Sequence, residues 1–140
     1  MNPLTVLIVD DEELDRYLLT RDLAKTGFDA KIFECGDGEE ALKFLTDYDE
    51  NKQKHGDDFP PVLIFLDINM PRVNGFEFLT QFNDLRAQQN DYQSCVVMMF
   101  SSSERPEEHE RALAHDFVVD FIIKGKTSSI ELKEKIEKLA

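Results

Sequence analysis

Val62-Leu63-Ile64-Phe65-Leu66-Asp67 is an apolar run closed by an acid, and Val6-Leu7-Ile8-Val9-Asp10-Asp11 repeats the arrangement near the N-terminus. Runs of four or five such residues, rich in Val and Ile and bounded by polar or turn residues, predict strands buried on both faces, as in parallel sheets. Ligands of open α/β sheets bind beyond the carboxyl ends of the strands, where the chain order reverses. If the two runs are neighbours, three carboxylates meet in that crevice. Crowding them in a partly desolvated cleft raises their pKa values and costs folding free energy unless a cation is present. An oxygen-only donor set suits a hard cation, Mg²⁺ above all where phosphate chemistry follows. The plainer alternative is that Asp10, Asp11 and Asp67 are solvated acids at strand ends; their occurrence at two strand ends favours the shared site.

Outward from these runs, strand and helix signals alternate. Leu14, Leu18, Leu19 and Leu23 recur at roughly helical spacing up to Gly27, which suits the positive φ of a helix C-terminus. Residues 30–34 read as a short strand, and Asp37-Gly38-Glu39-Glu40 sets an N-cap acid three residues before a glutamate, opening a helix through Leu45. From Asp47 to Pro60 the chain is almost wholly polar, Tyr48 and Phe59 excepted, and is expected to be a helix end followed by an exposed loop. After the 62–66 strand, Asn74-Gly75-Phe76-Glu77 caps a third helix with Phe78, Leu79, Phe82 and Leu85 on its buried face, ended by polar Gln88 to Gln93. Residues 95–100 read as a fourth strand, closing in Ser101-Ser102-Ser103. Pro106 begins a fourth helix, packed by Ala112, Leu113 and Ala114. Residues 117–123, interrupted by Asp120, form a fifth strand closing in Lys124, and Ser128 to Glu131 caps a last helix marked by Leu132, Ile136 and Leu139.

Strict alternation predicts an α/β fold with right-handed crossovers and helices on both faces of a parallel sheet. The expected architecture is a flavodoxin-like (βα)5 doubly wound sheet in strand order 2-1-3-4-5. In that order the first and third strands adjoin. Asp10, Asp11 and Asp67 then converge, with Ser101 on the next strand and Lys124 on the one after.

The 140 residues fit one domain, residues 1–140, with a core of ordinary size. The formal net charge of -13 disfavours nucleic acid and anionic membrane as partners, since both need a basic surface, and points to proteins. No run of eighteen apolar residues and no charged-then-apolar leader is present, so a cytoplasmic location is expected. Cys35 and Cys95 lie in or beside apolar runs and outside any Cys-x-x-Cys pair, which reads as buried free thiols. His55, His109 and His115 lack metal-ligand spacing.

These residues resemble the receiver domain of two-component response regulators over essentially the whole chain. The resemblance rests on the Asp10-Asp11 pair after the first strand, on Asp67-Ile68-Asn69-Met70-Pro71 followed by Gly75, on Ser101 ending the fourth strand and on Lys124 ending the fifth. Each is weak alone; in order, each at a strand's carboxyl end, they are specific. The polar stretch before the third strand is also similar to stand-alone, single-domain response regulators that partner phytochromes and related sensor kinases.

The resemblance implies that Asp67 is the phosphoacceptor, forming an aspartyl phosphate from the phosphohistidine of a sensor histidine kinase or histidine phosphotransfer protein. It implies Mg²⁺ held by Asp11, by Asp10 directly or through water, by Asp67 and by the backbone carbonyl of Asn69. Lys124 would set a point charge against the phosphoryl group, and Ser101 would donate a hydroxyl hydrogen bond to it. Ser101 and Phe121 would form the switch, with the fourth helix, fifth strand and fifth helix as the face that changes. The chain is then a signalling protein that catalyses its own phosphotransfer and autodephosphorylation, not an ordinary enzyme. With nothing after the last helix, no output domain is expected. Output would run through a downstream protein partner, or through a phosphorylation-dependent homodimer.

Two departures from the family pattern stand out. Gly125 replaces the usual proline after Lys124, and Ser101 replaces the commoner threonine, keeping the hydroxyl but losing a methyl that restricts its rotamers. A haloacid-dehalogenase-like phosphohydrolase also places a nucleophilic Asp after an apolar strand, but needs a second Asp two residues later, where this chain has Asn69. A receiver-like interaction module that is not phosphorylated is the other alternative; it would not need all five polar positions together.

Overall fold

The structure is a computed structural model describing residues 4–139. At its centre, strand β1 (Leu4–Val9) pairs in parallel with β3 (Leu63–Leu66), Val6 opposite Leu63 and Val9 opposite Leu66. Strand β2 (Ala30–Cys35) lies outside β1, and β4 (Val96–Ser101) and β5 (Val118–Ile123) follow β3, giving the parallel order β2-β1-β3-β4-β5. This is the predicted flavodoxin-like order.

Side-chain alternation divides the core into two layers. Val6, Ile8, Leu63 and Phe65 face helices α1 (Glu13–Lys25) and α6 (Ser129–Glu137), meeting Leu19, Leu23, Leu132 and Ile136. Leu7, Val9, Ile64 and Leu66 face the opposite layer, where α2 (Gly38–Thr46) supplies Ala41 and Leu45 and α4 (Gly75–Gln88) supplies Phe78, Leu79 and Phe82. A strand covered on both sides has no polar alternation, which is why the 6–9 and 63–66 runs are continuous. The helix α5 (Pro106–Leu113) has Pro106 in its first turn, where the missing N–H costs nothing. Asp37 caps α2 by accepting from Glu40 N at 2.8 Å, and Asn74 with Glu77 forms a reciprocal capping box on α4.

Two expectations need correction. Residues 47–60 are not mainly loop: they hold a helix, α3 (Tyr48–His55), and a short 3₁₀ turn at Gly56–Asp58. α3 buries no residue, so it lacks the apolar stripe by which a sequence reveals a helix. Side-chain anchors hold it instead. Asn51 Nδ2 donates to Phe44 O at 2.7 Å, Lys52 Nζ donates to Phe59 O at 2.9 Å, and the Tyr48 ring lies 5.5 Å from buried Phe59. Leu14 and Leu113 are exposed at 65% and 48%. Leu19 and Leu23 set the buried face of α1, and Leu14 lies about 140° around the helix from Leu19. Ala112 likewise takes the inward position beside Leu113. The stretch after α4 is a 3₁₀ segment, Asn90–Ser94, whose Tyr92 is fully buried.

Cys35 and Cys95 are buried free thiols, both pushed up to about 12, chiefly by burial. At that value neither is a thiolate at neutral pH.

Candidate functional site: an acidic pocket facing a lysine

The parallel ladder continues one residue past the central strands. Asp10 N donates to Cys35 O at 3.1 Å and Asp67 N donates to Val9 O at 2.9 Å, so each acid is fixed by its backbone before its side chain does anything. Asp10 and Asp67 are buried and Asp11 is exposed. One oxygen from each of the three carboxylates lies within 4.8 Å of the others. Asp10 Oδ1 accepts from Glu12 N at 2.9 Å, Arg16 Nη1 donates to Asp10 O at 2.6 Å, and Asp67 Oδ1 accepts from Ile68 N at 2.9 Å.

The same device brings in Lys124, whose amide extends the β4 to β5 pairing by donating to Ser101 O at 2.9 Å. Its ammonium lies 2.6 Å from Asp10 Oδ2, 2.9 Å from Asp15 Oδ2 and 3.6 Å from Asp67 Oδ1. Asp15, in the first turn of α1, was not among the sequence candidates. An acid four residues past a paired carboxylate, in a helix leaving the site, is the only signal for it, and that pattern is common on solvated helix starts.

Burial pushes the Asp67 carboxyl up to about 7, reinforced by Asp10 and Asp11 and opposed by Lys124 and the Ile68 N–H. Burial also raises Asp10, with Lys124 and the Glu12 N–H opposing. For Lys124 burial works against the charged form, but Asp10, Asp15 and Asp67 outweigh it and hold its pKa above the ordinary lysine value. The pocket therefore holds more negative charge than its one ammonium neutralises.

The donor set fits a hard divalent cation. Asp10 Oδ2 is buried, and its close partner among the described residues is the Lys124 ammonium at 2.6 Å, which Asp15 and Asp67 also draw on. Three carboxylates crowded about one ammonium in a partly buried pocket repel one another, and Asp10, Asp11 and Asp67 are the residues that would hold a hard cation to offset that charge.

The remaining predicted residues surround this pocket in different ways. Asn69 is exposed, two residues beyond Asp67, and its carbonyl accepts no hydrogen bond from described residues. Ser101 is buried, and its Oγ accepts from Ser103 N at 3.1 Å rather than bonding Asp67. Phe121 is turned inward and stacks on His109 of α5 with ring centres 3.7 Å apart. His109 Nε2 in turn lies 3.0 Å from Ser103 O, so a chain of contacts joins Ser101, Ser103, His109 and Phe121. The sequence marks His109 only as lacking metal-ligand spacing and gives no sign of this contact.

The chain matches the response regulator receiver domain family over residues 6–137 and belongs to it. Receiver domains are signalling components of two-component systems. A probable chemotaxis protein CheY of Rhizobium etli is 31% identical over 100 residues, 71% of this chain and 66% of that protein. Histidine kinase CKI1 of Arabidopsis thaliana is 35% identical over 74 residues, 51% of this chain but 6% of its own length. The matched stretch thus spans less than two thirds of either relative. A two-component response regulator from Cytophaga hutchinsonii superposes with a TM-score of 0.78 at 26% identity, covering 99% of this chain and 98% of that one. The CKI1 receiver domain complexed with Mg²⁺ and BeF₃⁻ superposes with a TM-score of 0.76 at 24% identity, covering 97% and 89%.

Proposed function

We propose that this chain is a phosphorelay receiver in which Asp67 takes a phosphoryl group from the phosphohistidine of a sensor histidine kinase or a histidine phosphotransfer protein. The reading is carried by the convergence of Asp67 on Asp10, Asp11 and Lys124 at the carboxyl ends of the strands. An Asp67 carboxylate oxygen attacks phosphorus, and the P–N bond breaks with its electron pair leaving on the imidazole nitrogen. Attack needs the ionised carboxylate, which burial disfavours and neighbouring positive charge restores.

Asp10, Asp11, Asp67 and the Asn69 carbonyl are the residues that would hold Mg²⁺, which when bound supplies charge neutralisation for carboxylates and phosphoryl oxygens alike. Lys124 moves toward the new phosphoryl group as a point charge. Ser101 gives up its contact with the Ser103 N–H and donates its hydroxyl to a phosphoryl oxygen. Because Ser103 also contacts His109, that exchange loosens the stack on Phe121 and remodels the face built from α5, β5 and α6. Asn69, exposed beside Asp67, orients the water that later hydrolyses the phosphate.

Signalling then proceeds by contact with a downstream protein or by phosphorylation-dependent pairing of two copies through that face. The net charge of -13 supports protein rather than nucleic-acid or membrane partners. Among the described residues no helix is long and apolar enough to cross a membrane. The test is incubation with Mg²⁺ and a small phosphodonor: an alkali-labile acyl phosphate should form in the native protein and be absent in Asp67→Asn. Its absence from both would leave a receiver-like module that works unphosphorylated.

A further inference from the structure

We propose that Asp15 is a positioning residue that holds Lys124 back from Asp67, so that phosphoryl acceptance requires Lys124 to exchange Asp15 for the incoming group. The proposal rests on the reading of Asp67 as phosphoacceptor. Lys124 Nζ donates a hydrogen bond to Asp15 Oδ2 at 2.9 Å but stands 3.6 Å from Asp67 Oδ1, beyond hydrogen-bond reach. Asp10 Oδ2, at 2.6 Å, and Asp15 Oδ2, at 2.9 Å, together hold the ammonium on the side of the pocket away from Asp67, and of the two only Asp15 lies outside the three-carboxylate cluster.

The local backbone explains why Asp15 is available. It occupies the third position of α1 after the N-cap Glu12, where an acid commonly reaches back to the N-cap N–H. Here Glu12 N already donates to Asp10 Oδ1 at 2.9 Å, so Asp15 is freed from that duty and turns to Lys124. Asp15 makes no other side-chain hydrogen bond among the described residues. The helix start keeps Glu13 as a second acid for its dipole, so Asp15 is not needed there either.

A phosphoryl group carries more charge than a carboxylate and offers three acceptor oxygens, so it wins Lys124 once attached. During transfer the balance is closer, and the bond to Asp15 is lost before the bond to the phosphoryl group is complete. Asp15 therefore raises the barrier to acceptance. Removing it leaves Asp10 as the one remaining close carboxylate on that side among the described residues, so Lys124 should reach the phosphoryl group earlier.

Acetyl phosphate tests this in the full chain with Mg²⁺ present: its P–O bond breaks with the electron pair leaving on acetate as the Asp67 acyl phosphate forms. Asp15→Asn should accelerate formation by about fivefold, the rate equivalent of one net hydrogen bond. Asp15→Glu, which restores the carboxylate, should return the rate toward the native value, and Asp22→Asn, further along α1, should leave it unchanged. In a Lys124→Gln background, Asp15→Asn should have no effect.

An unchanged or slower rate in folded Asp15→Asn overturns the proposal. So does equal acceleration in the Lys124→Gln background, which would mean that Asp15 acts only through its field on an anionic donor. A second readout needs no turnover: the Lys124 ¹⁵Nζ resonance of the native protein should move, on adding beryllofluoride with Mg²⁺, toward its position in Asp15→Asn. No difference between the native and Asp15→Asn resonances before addition overturns the contact itself. A native chain that forms no acyl phosphate, while that resonance still reports the Asp15 contact, defeats the phosphoacceptor reading instead.

Discussion

Gly75 lies directly against the backbone of Asp67. Its amide donates to Ile68 O at 2.8 Å, and a Cβ at position 75 would stand 2.5 Å from Asp67 O and 2.8 Å from the Ile68 Cα. The start of α4 is thereby seated under the strand end that presents the central acid. No side chain can yield at that contact, because both neighbours are backbone. Gly75→Ala should destabilise the fold by about 2 kcal/mol, the cost of overpacking a close contact, measured by urea denaturation. It should also slow phosphoryl acceptance, because relief of the clash displaces Asp67.

The acidic pocket makes stability depend on pH and on cation together. Folded Asp67 titrates near 7, whereas an unfolded aspartate titrates at about 4. Between these values the folded state binds more protons, so without metal Asp67 lowers stability progressively as pH rises through that window, and the effect levels off above it. Asp67→Asn should therefore be stabilising in EDTA, more so at the alkaline end of the window than at the acid end. Mg²⁺ should raise the melting temperature of the native protein at neutral pH, and do so much less in Asp11→Ala. A melting temperature indifferent to Mg²⁺ contradicts the cation site.

Tyr92 is the polar anchor of the layer beneath α2 and α4. Its hydroxyl donates to Leu45 O at 2.6 Å in a fully buried setting, while its ring packs against Tyr48, Phe59 and Phe82. Tyr92→Phe keeps the ring and strands the carbonyl. A loss of about 1–2 kcal/mol in denaturant unfolding is expected, with phosphoryl acceptance unchanged.

The stack of His109 on Phe121 is the path by which the pocket reaches the α5, β5, α6 face. His109→Ala and Phe121→Ala should each leave the rate of phosphorylation near native while abolishing the phosphorylation-dependent change in amide exchange of α5 and β5. Retention of that change in both variants contradicts the path.

The strands and the buried acids were legible in the sequence because burial on both faces demands uninterrupted apolar runs, and a polar residue ending such a run stands out. Asp10, Asp67 and Lys124 each end a run in this way, so their meeting followed from strand order alone. α3 was not legible: its hold on the fold comes from Asn51, Lys52 and Tyr48, which look like solvated residues. Tyr92 was hidden in a polar stretch for the same reason. Asp15 and His109 were missed because each acts by side-chain contact across elements, with Lys124 over 109 positions and with Phe121 across α5 and β5. No periodicity encodes such contacts.

In the proposed reaction Asp67, and no other acid of the pocket, carries the phosphoryl group. Borohydride reduces an aspartyl phosphate to homoserine, so the protein treated with Mg²⁺ and acetyl phosphate, then reduced and mapped by peptide mass spectrometry, reports the acceptor directly. Homoserine at position 67, absent without phosphodonor, is the predicted result. Homoserine at position 10 or 11, or at no position in protein shown to be folded, rules out Asp67 as the acceptor.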